Sequence, residues 1–301
     1  MDSGPRVTVL GSLNMDISVT VPVLPGPGAT VLGGGASFTP GGKGANQAVA
    51  AARLGADVRM VGCVGEDDFG SRLTAALAAE GIDAAAVTQI PGAPTGLAMI
   101  TVDASGENII TVAPGANYQV GDRELAAIDD AGTLVISAEI PLKTVRAALA
   151  LVHQRRIRCL LNLAPAPTGQ EAKALVAEGV DWLVVNETEA EAILGTPVRG
   201  LKEAGQAALA LVTAGARTAV VTAGAHGAAL AGAGTEEAVT VPGCTVTAVD
   251  SVGAGDTFVG ALATALAAAA GATAATRPGA QAGMPTRADI LTVTGLRWPV
   301  S

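Results

Sequence analysis

Between residues 133 and 222 short apolar runs alternate with helical segments, and this rhythm limits the possible folds more than any other feature of the chain. Apolar runs fall at 133–137, 159–163, 182–185 and 219–222, and helical patterns at 142–153, 170–178, 187–194 and 201–214. Uninterrupted apolar strands need cover on both faces, and helices between them make the sheet parallel. Earlier in the chain, strands are predicted at 7–10 and 58–64, and helices at 45–54 and 67–80, closed by Gly55 and Gly81. The runs at 17–21, 30–38, 97–102 and 108–112 do not fit that rhythm. They read as strands around Pro25-Gly26-Pro27-Gly28 and as a hairpin around Ala104-Ser105-Gly106. The prediction is one α/β domain over residues 1–301 with a doubly wound, mostly parallel sheet and helices on both faces. A small β-sheet lid is expected from about 12–40 and 95–113.

Composition narrows the partners. Apolar residues make up 50% of the 301 but aromatics only 2%, so the core must be aliphatic. A net charge of −9 argues against nucleic acid. Nucleotides stay open, because a divalent cation and a helix N-terminus supply local positive potential. The most apolar stretch, 261–275, is too short to span a bilayer and is broken by Gly271, so no membrane partner is expected. The N-terminus lacks a basic-then-apolar signal pattern, which predicts a cytoplasmic protein. Cys63, Cys159 and Cys244 lie far apart in apolar or strand-like contexts and read as buried thiols. His153 and His226 have no metal-ligand spacing and read as surface residues.

Chemistry concentrates in two glycine turns. The first is Asp250-Ser251-Val252-Gly253-Ala254-Gly255-Asp256-Thr257-Phe258. Strands are expected before it at 238–249 and a helix after it at 261–270. Gly253-Ala254-Gly255 is then a turn at a helix N-terminus, where free N–H groups and the helix dipole attract an anion. The carboxylate of Asp256 sits beside that site. It either takes a proton from an attacking hydroxyl or merely caps the helix. The second turn, Gly41-Gly42-Lys43-Gly44-Ala45-Asn46-Gln47, opens another helix. It is neither a Walker A loop nor a dinucleotide fingerprint. Lys43 and Asn46 offer donors to ligand oxygens there, against the plainer reading of a tight turn with an exposed lysine. Asn14, Asp16, Glu139, Asn186, Glu189, Thr222 and Gly224 also fall at or just after the carboxyl ends of predicted strands, where such sheets bind ligands. Singly these are turn and cap residues; jointly they outline a site.

The two turns resemble the paired signatures of the ribokinase-like, PfkB-type carbohydrate kinase family. The segments 11–16, 94–98, 113–117, 186–191 and 276–281 extend the resemblance in the same order. It implies a ribokinase-like α/β body with a β lid that often mediates dimerisation, here a homodimer. It implies transfer of the ATP γ-phosphoryl to the 5-hydroxyl of D-ribose. Carried over by motif, Asn14, Asp16, Gly42, Lys43, Asn46 and Glu139 match sugar contacts, and Asp256 matches the base. Gly253, Ala254 and Gly255 match the anion hole. Asn186 and Glu189 match residues near phosphate and Mg²⁺, while Thr222, Gly224 and Gly227 match the nucleotide loop. Asp250, Val252, Ala274, Arg277, Gly279 and Gly283 match a K⁺ loop.

The chain also departs from the family. Gly283 stands where a serine is common. After Leu266 roughly a dozen residues are missing, about one helix, from the segment that lines the adenine pocket. The run 267–270 offers no polar side chain to the base, which predicts a raised KM for ATP and weak discrimination among nucleotides. The close, 295–301, does not read as the terminal helix that relatives carry. The amides and acceptors at Asn14, Asp16, Asn46 and Glu139 suit a neutral pentose. A phosphorylated sugar would want more cations than Lys43, and a nucleoside would want more aromatics than Phe38. Deoxyribose, fructose or a nucleoside remain alternatives. So does a non-catalytic sugar-binding homologue, because of the shortened segment.

Overall fold

The period of two within each apolar run decides the architecture. Leu134 and Ile136, Leu183 and Val185, and Ala219 and Val221 face one side of a sheet. Val135, Val184 and Val220 face the other. Both sets are buried, so helices must cover both faces. The computed structural model that shows this describes residues 5–128, 132–167, 169–248 and 250–264.

In chain order the elements are β1 (Arg6–Leu10), β2 (Asn14–Val21), β3 (Ser37–Gly41), α1 (Lys43–Arg53), β4 (Asp57–Gly65), α2 (Asp68–Ala79) and β5 (Asp83–Ile90). Then come β6 (Gly96–Asp103), β7 (Asn108–Ala113), α3 (Asp122–Ala126), β8 (Thr133–Ser137), α4 (Leu142–Arg155), β9 (Arg158–Asn162) and α5 (Gln170–Ala177). The remainder are β10 (Trp182–Asn186), α6 (Glu187–Leu194), α7 (Gly200–Thr213), β11 (Thr218–Thr222), β12 (Gly227–Gly232), β13 (Val239–Pro242) and α8 (Ala254–Ala263). Nine strands form one sheet in the order β13-β12-β11-β10-β9-β8-β1-β4-β5. Its pairs are parallel from β11 to β5, and β12 and β13 close one edge antiparallel. Helices α1, α2 and α8 cover one face, while α3 to α7 cover the other.

The second sheet is β3-β2-β6-β7, with β2 parallel to β6 and the other pairs antiparallel. It grows from the main body at 11–13, where β1 passes into β2. Asn117 pins that joint: its Oδ1 accepts from the Leu13 N–H at 2.9 Å, and its Nδ2 donates to Leu13 O at 3.0 Å and Asn14 Oδ1 at 2.8 Å.

Several expectations need correction. Of the run 30–38 only Ser37 and Phe38 are strand, and β3 continues instead to Gly41. Gly33, Gly34 and Gly35 supply no side chains to hold a strand there. Of 238–249 only β13 is a strand, and it stops at Pro242, which has no N–H to donate. Position 249 lies outside the described residues. Strands β5 and β12 carried no sequence signal, being rich in Ala and Gly. Pairing with β4 and β11 overrides their weak propensity. The strand expected at 17–21 begins earlier, so Asn14 and Asp16, which do follow β1, lie within β2. Cys63 and Cys159 are buried, but Cys244 is exposed. His153 and His226 are exposed, as expected. Among the described residues, no helix is long and apolar enough to cross a membrane.

One contact places the site. Helix α8 lies against α1 so closely that a Cβ on Gly260 would meet Gln47 O at 2.6 Å and Ala50 Cβ at 2.7 Å. Glycine on one helix and alanines on the other let the two N-termini come together over the carboxyl ends of the central strands.

Candidate active site

The chain runs outward in both directions from β1: β4 lies on one side, β8 on the other. At such a switch point the segments leaving the strands part and open a crevice. Three segments meet there: the joint 11–14, the turn before α1, and Glu139 after β8. Gly42 takes φ 89°. A Cβ on it would stand 2.6 Å from Asn14 N, and one on Gly44 would stand 2.7 Å from Gly11 C. Only glycines let the start of α1 approach this joint. Glu139 Oε2 gathers the pieces, accepting from Ser12 Oγ at 2.5 Å, Asn14 Nδ2 at 3.2 Å and Lys43 N at 3.5 Å. Asp16 packs over Gly41, where a Cβ would fall 2.1 Å from its Oδ2. Burial pushes the Asp16 carboxyl up to about 7, helped by the negative charges of Glu139 and Asp256 and opposed by Lys43.

Asp256 stands on the first turn of α8, 8% exposed. Its two oxygens are held from α1. Oδ2 accepts from Asn46 Nδ2 at 3.0 Å, and Oδ1 accepts from Gln47 Nε2 at 3.0 Å. Gly253 supplies the left-handed turn before the helix, φ 78°. A Cβ on Gly255 would meet nothing within 4 Å, so the backbone here is open to a ligand. The ammonium of Lys43 is stabilised chiefly by the charge of Asp256, against the cost of burial, and its pKa lies above the usual lysine value.

A cavity of about 230 Å³ opens on this turn. Lys43, Asn186, Glu189, Thr222, Gly253, Gly255 and Asp256 are among its walls. Asn186 caps α6 through its side chain, accepting from Glu189 N at 2.8 Å, while Glu189 Oε2 accepts from Asn186 N at 2.8 Å. Burial raises the Glu189 carboxyl, opposed by the Asn186 N–H and by Lys43. A cation beside Glu189 would relieve that cost. The oxygen donors of Asn186 and Glu189 therefore fit a hydrated Mg²⁺, which takes one or two carboxylates plus phosphates.

Other predicted positions lie apart from this cavity wall. Gly224 opens a short 3₁₀ turn after β11, and Gly227 begins β12. Gly227, at φ 112°, has a structural reason to be glycine, since a Cβ would lie 2.0 Å from Val241 O. Ala254 is the first residue of α8. Asp250 and Val252 precede the turn and are tied together, Val252 N donating to Asp250 Oδ1 at 2.9 Å. Ala274, Arg277, Gly279 and Gly283, the shortened segment after Leu266 and the terminal stretch 295–301 lie outside the described residues. Of the predicted K⁺ positions, Asp250 and Val252 lie within the described residues, and the carboxylate of Asp250 suits a hard cation.

Sequence reasoning missed Ser12, Asn117, Gln47 and Asn162. Gln47 and Asn162 are joined, Gln47 Nε2 donating to Asn162 Oδ1 at 2.9 Å. A polar residue closing the apolar run of β9 was the available signal for Asn162. The other three lie inside quoted motifs, but nothing in the sequence says which atoms they meet.

Comparison with known proteins gives the family. The profile of pfkB family carbohydrate kinases matches residues 5–296. Ribokinase from Haemophilus influenzae is 37% identical over 302 residues, covering 95% of this chain and 97% of its own. A deoxyribokinase from Salmonella typhi is 35% identical over 261 residues, covering 85% of this chain and 84% of its own. Arabidopsis thaliana ribokinase, solved with ribose and ATP, matches with a TM-score of 0.86 at 29% identity, over 96% of this chain and 98% of its own. With both signature turns meeting at Asp256 and the profile spanning nearly the whole length, this chain belongs to the pfkB family of carbohydrate kinases, phosphotransferases with an alcohol acceptor.

Proposed function

We propose that this protein phosphorylates D-ribose at its 5-hydroxyl, using ATP, to give D-ribose 5-phosphate and ADP. The observation that carries the reading is the position of Asp256. Its buried carboxylate lies where the polar cluster around Asn14, Asp16, Lys43, Asn46 and Glu139 meets the cavity in front of α8. The cluster suits the hydroxyls of a neutral sugar, and Gly42 lets the start of α1 pack against the joint at Asn14 that forms part of it. The cavity suits a triphosphate, with Thr222 and Asn186 on its wall and Gly224 and Gly227 in the adjoining turn. The sugar 5-hydroxyl gives its proton to Asp256 as its oxygen attacks the γ-phosphorus in line with the departing ADP oxygen. The N–H groups of Gly253 and Gly255, at the positive end of α8, and the Lys43 ammonium answer the charge on the transferring group, while the Ala254 N–H is turned to Ser251 O at 3.2 Å. Mg²⁺ near Asn186 and Glu189 would neutralise phosphate charge, and K⁺ near Asp250 and Val252 would order the turn from behind.

Deoxyribose is the second reading, favoured by the comparable identity to the deoxyribokinase. The outer sheet also bears exposed apolar side chains on both faces, Phe38, Met99 and Ile109 on one and Ile110 and Val112 on the other, the face of Asp16. A second copy of the chain packing against this sheet makes a homodimer. Sedimentation should give twice the chain mass, and a monomer at micromolar concentration contradicts this.

A coupled ADP-release assay over ribose, deoxyribose, fructose and nucleosides tests the function, with Asp256→Asn as its control. Ribose should give the highest kcat/KM, and the variant should lose two to four powers of ten in kcat, roughly the range for a positioned base. Near-normal turnover in the variant rules out the assignment.

Asp16 adds a pH dependence. Sugar hydroxyls donating to its ionised form favour that form. Since burial holds this carboxyl up to about 7, ribose binding releases a proton below that pH. Affinity should rise about five- to tenfold between pH 6 and pH 8, the change in the ionised fraction. Asp16→Asn should flatten the trend. Calorimetric titration reads both, and a wild-type affinity that does not change with pH contradicts the coupling.

A further inference from the structure

The geometry points to Gln47 as a positioning residue that sets the Asp256 carboxylate, with Asn162 as the anchor that sets Gln47. This rests on reading Asp256 as the base. Gln47 is 0% exposed, so it touches neither sugar nor solvent. Its side-chain nitrogen makes two hydrogen bonds, to Asn162 Oδ1 at 2.9 Å and to Asp256 Oδ1 at 3.0 Å. Asn162 cannot turn over freely, because its own Nδ2 donates to Val184 O at 3.2 Å. Its Oδ1 must therefore face Gln47. A reversed Gln47 amide would set its carbonyl oxygen against two acceptor oxygens. The chain of orientation runs from the backbone of β10, through the end of β9, through α1, to the carboxylate on α8.

The Gln47 amide does not serve its own needs in this pose. Its Oε1 is buried with no hydrogen-bond partner among the described residues. Buried polar atoms are normally satisfied. The amide instead spends both its N–H groups on Asn162 and Asp256. Asn46 holds the other oxygen, Oδ2, at 3.0 Å; its own Oδ1 is likewise buried without a partner among the described residues, but Asn46 is 5% exposed where Gln47 is 0% and belongs to the proposed sugar cluster. The two amides thus differ. Asn46 can exchange its bond for a ligand contact, whereas Gln47 keeps the rotation of the carboxylate fixed throughout turnover. A carboxylate held at one oxygen alone swings about its Cβ–Cγ bond, and misplacement of a reacting group by about 1 Å can cost about 100-fold in rate.

The test is a kinetic cycle of four proteins: wild type, Gln47→Met, Asp256→Asn and the double variant. Methionine keeps the length of the side chain and removes its N–H groups. Gln47→Met should lower kcat about 10- to 100-fold and leave the KM for ribose within about threefold. In the Asp256→Asn background the same change should cost nothing more, since it acts only through the carboxylate. Asn162→Ser cuts the chain one link earlier. It should lower kcat in the same sense, and it supplies the reading if Gln47→Met does not fold. An unchanged kcat in the folded variants overturns the inference while leaving the base assignment standing. An equal loss with and without the Asp256 carboxylate overturns it as well, because Gln47 would then act elsewhere. Full turnover in Asp256→Asn alone sinks the base reading and the inference with it.

Discussion

A carboxylate withdrawn from water must be answered by hydrogen bonds or it gives up its charge. The packing of α8 on α1 answers that need for Asp256, and the rest of the site follows from it. Gly260 and Ala50 let the helices meet at near-backbone contact. Consecutive amides at the start of α1 then reach both oxygens of Asp256. The same helix begins with the Gly42 turn and Lys43, so one element presents both the clamp on the proposed base and part of the proposed sugar surface. Movement of α1 relative to α8 would spoil base and binding together.

Charge supports the proposed neutral sugar. Asp16, Glu139 and Asp256 share one cluster, and Lys43 is the cation that faces all three. A phosphorylated sugar would bring a further negative charge into that group. Across Lys43, the front of α8 has the opposite character, with helix N–H groups and an open backbone at Gly255. The boundary between the two environments is the Asp256 carboxylate, where the proposed reaction has a hydroxyl lose its proton and a phosphoryl group arrive. The chain can be acidic as a whole and still bind a triphosphate, because the positive potential is local.

The α/β body was legible in the sequence because apolar runs of the right length and the helices between them force a parallel sheet. Both glycine turns were legible for a local reason: each needs backbone that only glycine supplies, at Gly42 and at Gly253. Strands β5 and β12 were not legible, since Ala and Gly carry no strand preference and only their neighbours in the sheet fix them. The strand expected at 30–38 failed because three glycines hold no pairing of their own. Gln47 and Asn162 escaped notice for a different reason. They are 115 residues apart and meet only because β9 and α1 pack at one end of the sheet. No local pattern encodes such a pair.

The central claim is that Asp256 meets the sugar hydroxyl and the transferring phosphoryl group at one point. A crystal structure of the protein with ribose and a non-hydrolysable ATP analogue tests this most directly. The account predicts the ribose 5-oxygen about 2.6–3.2 Å from an Asp256 oxygen, hydrogen-bond reach for a general base, and aligned with the γ-phosphorus in front of Gly255. Ribose bound with another hydroxyl toward Asp256, or a γ-phosphate seated away from the start of α8, would contradict it.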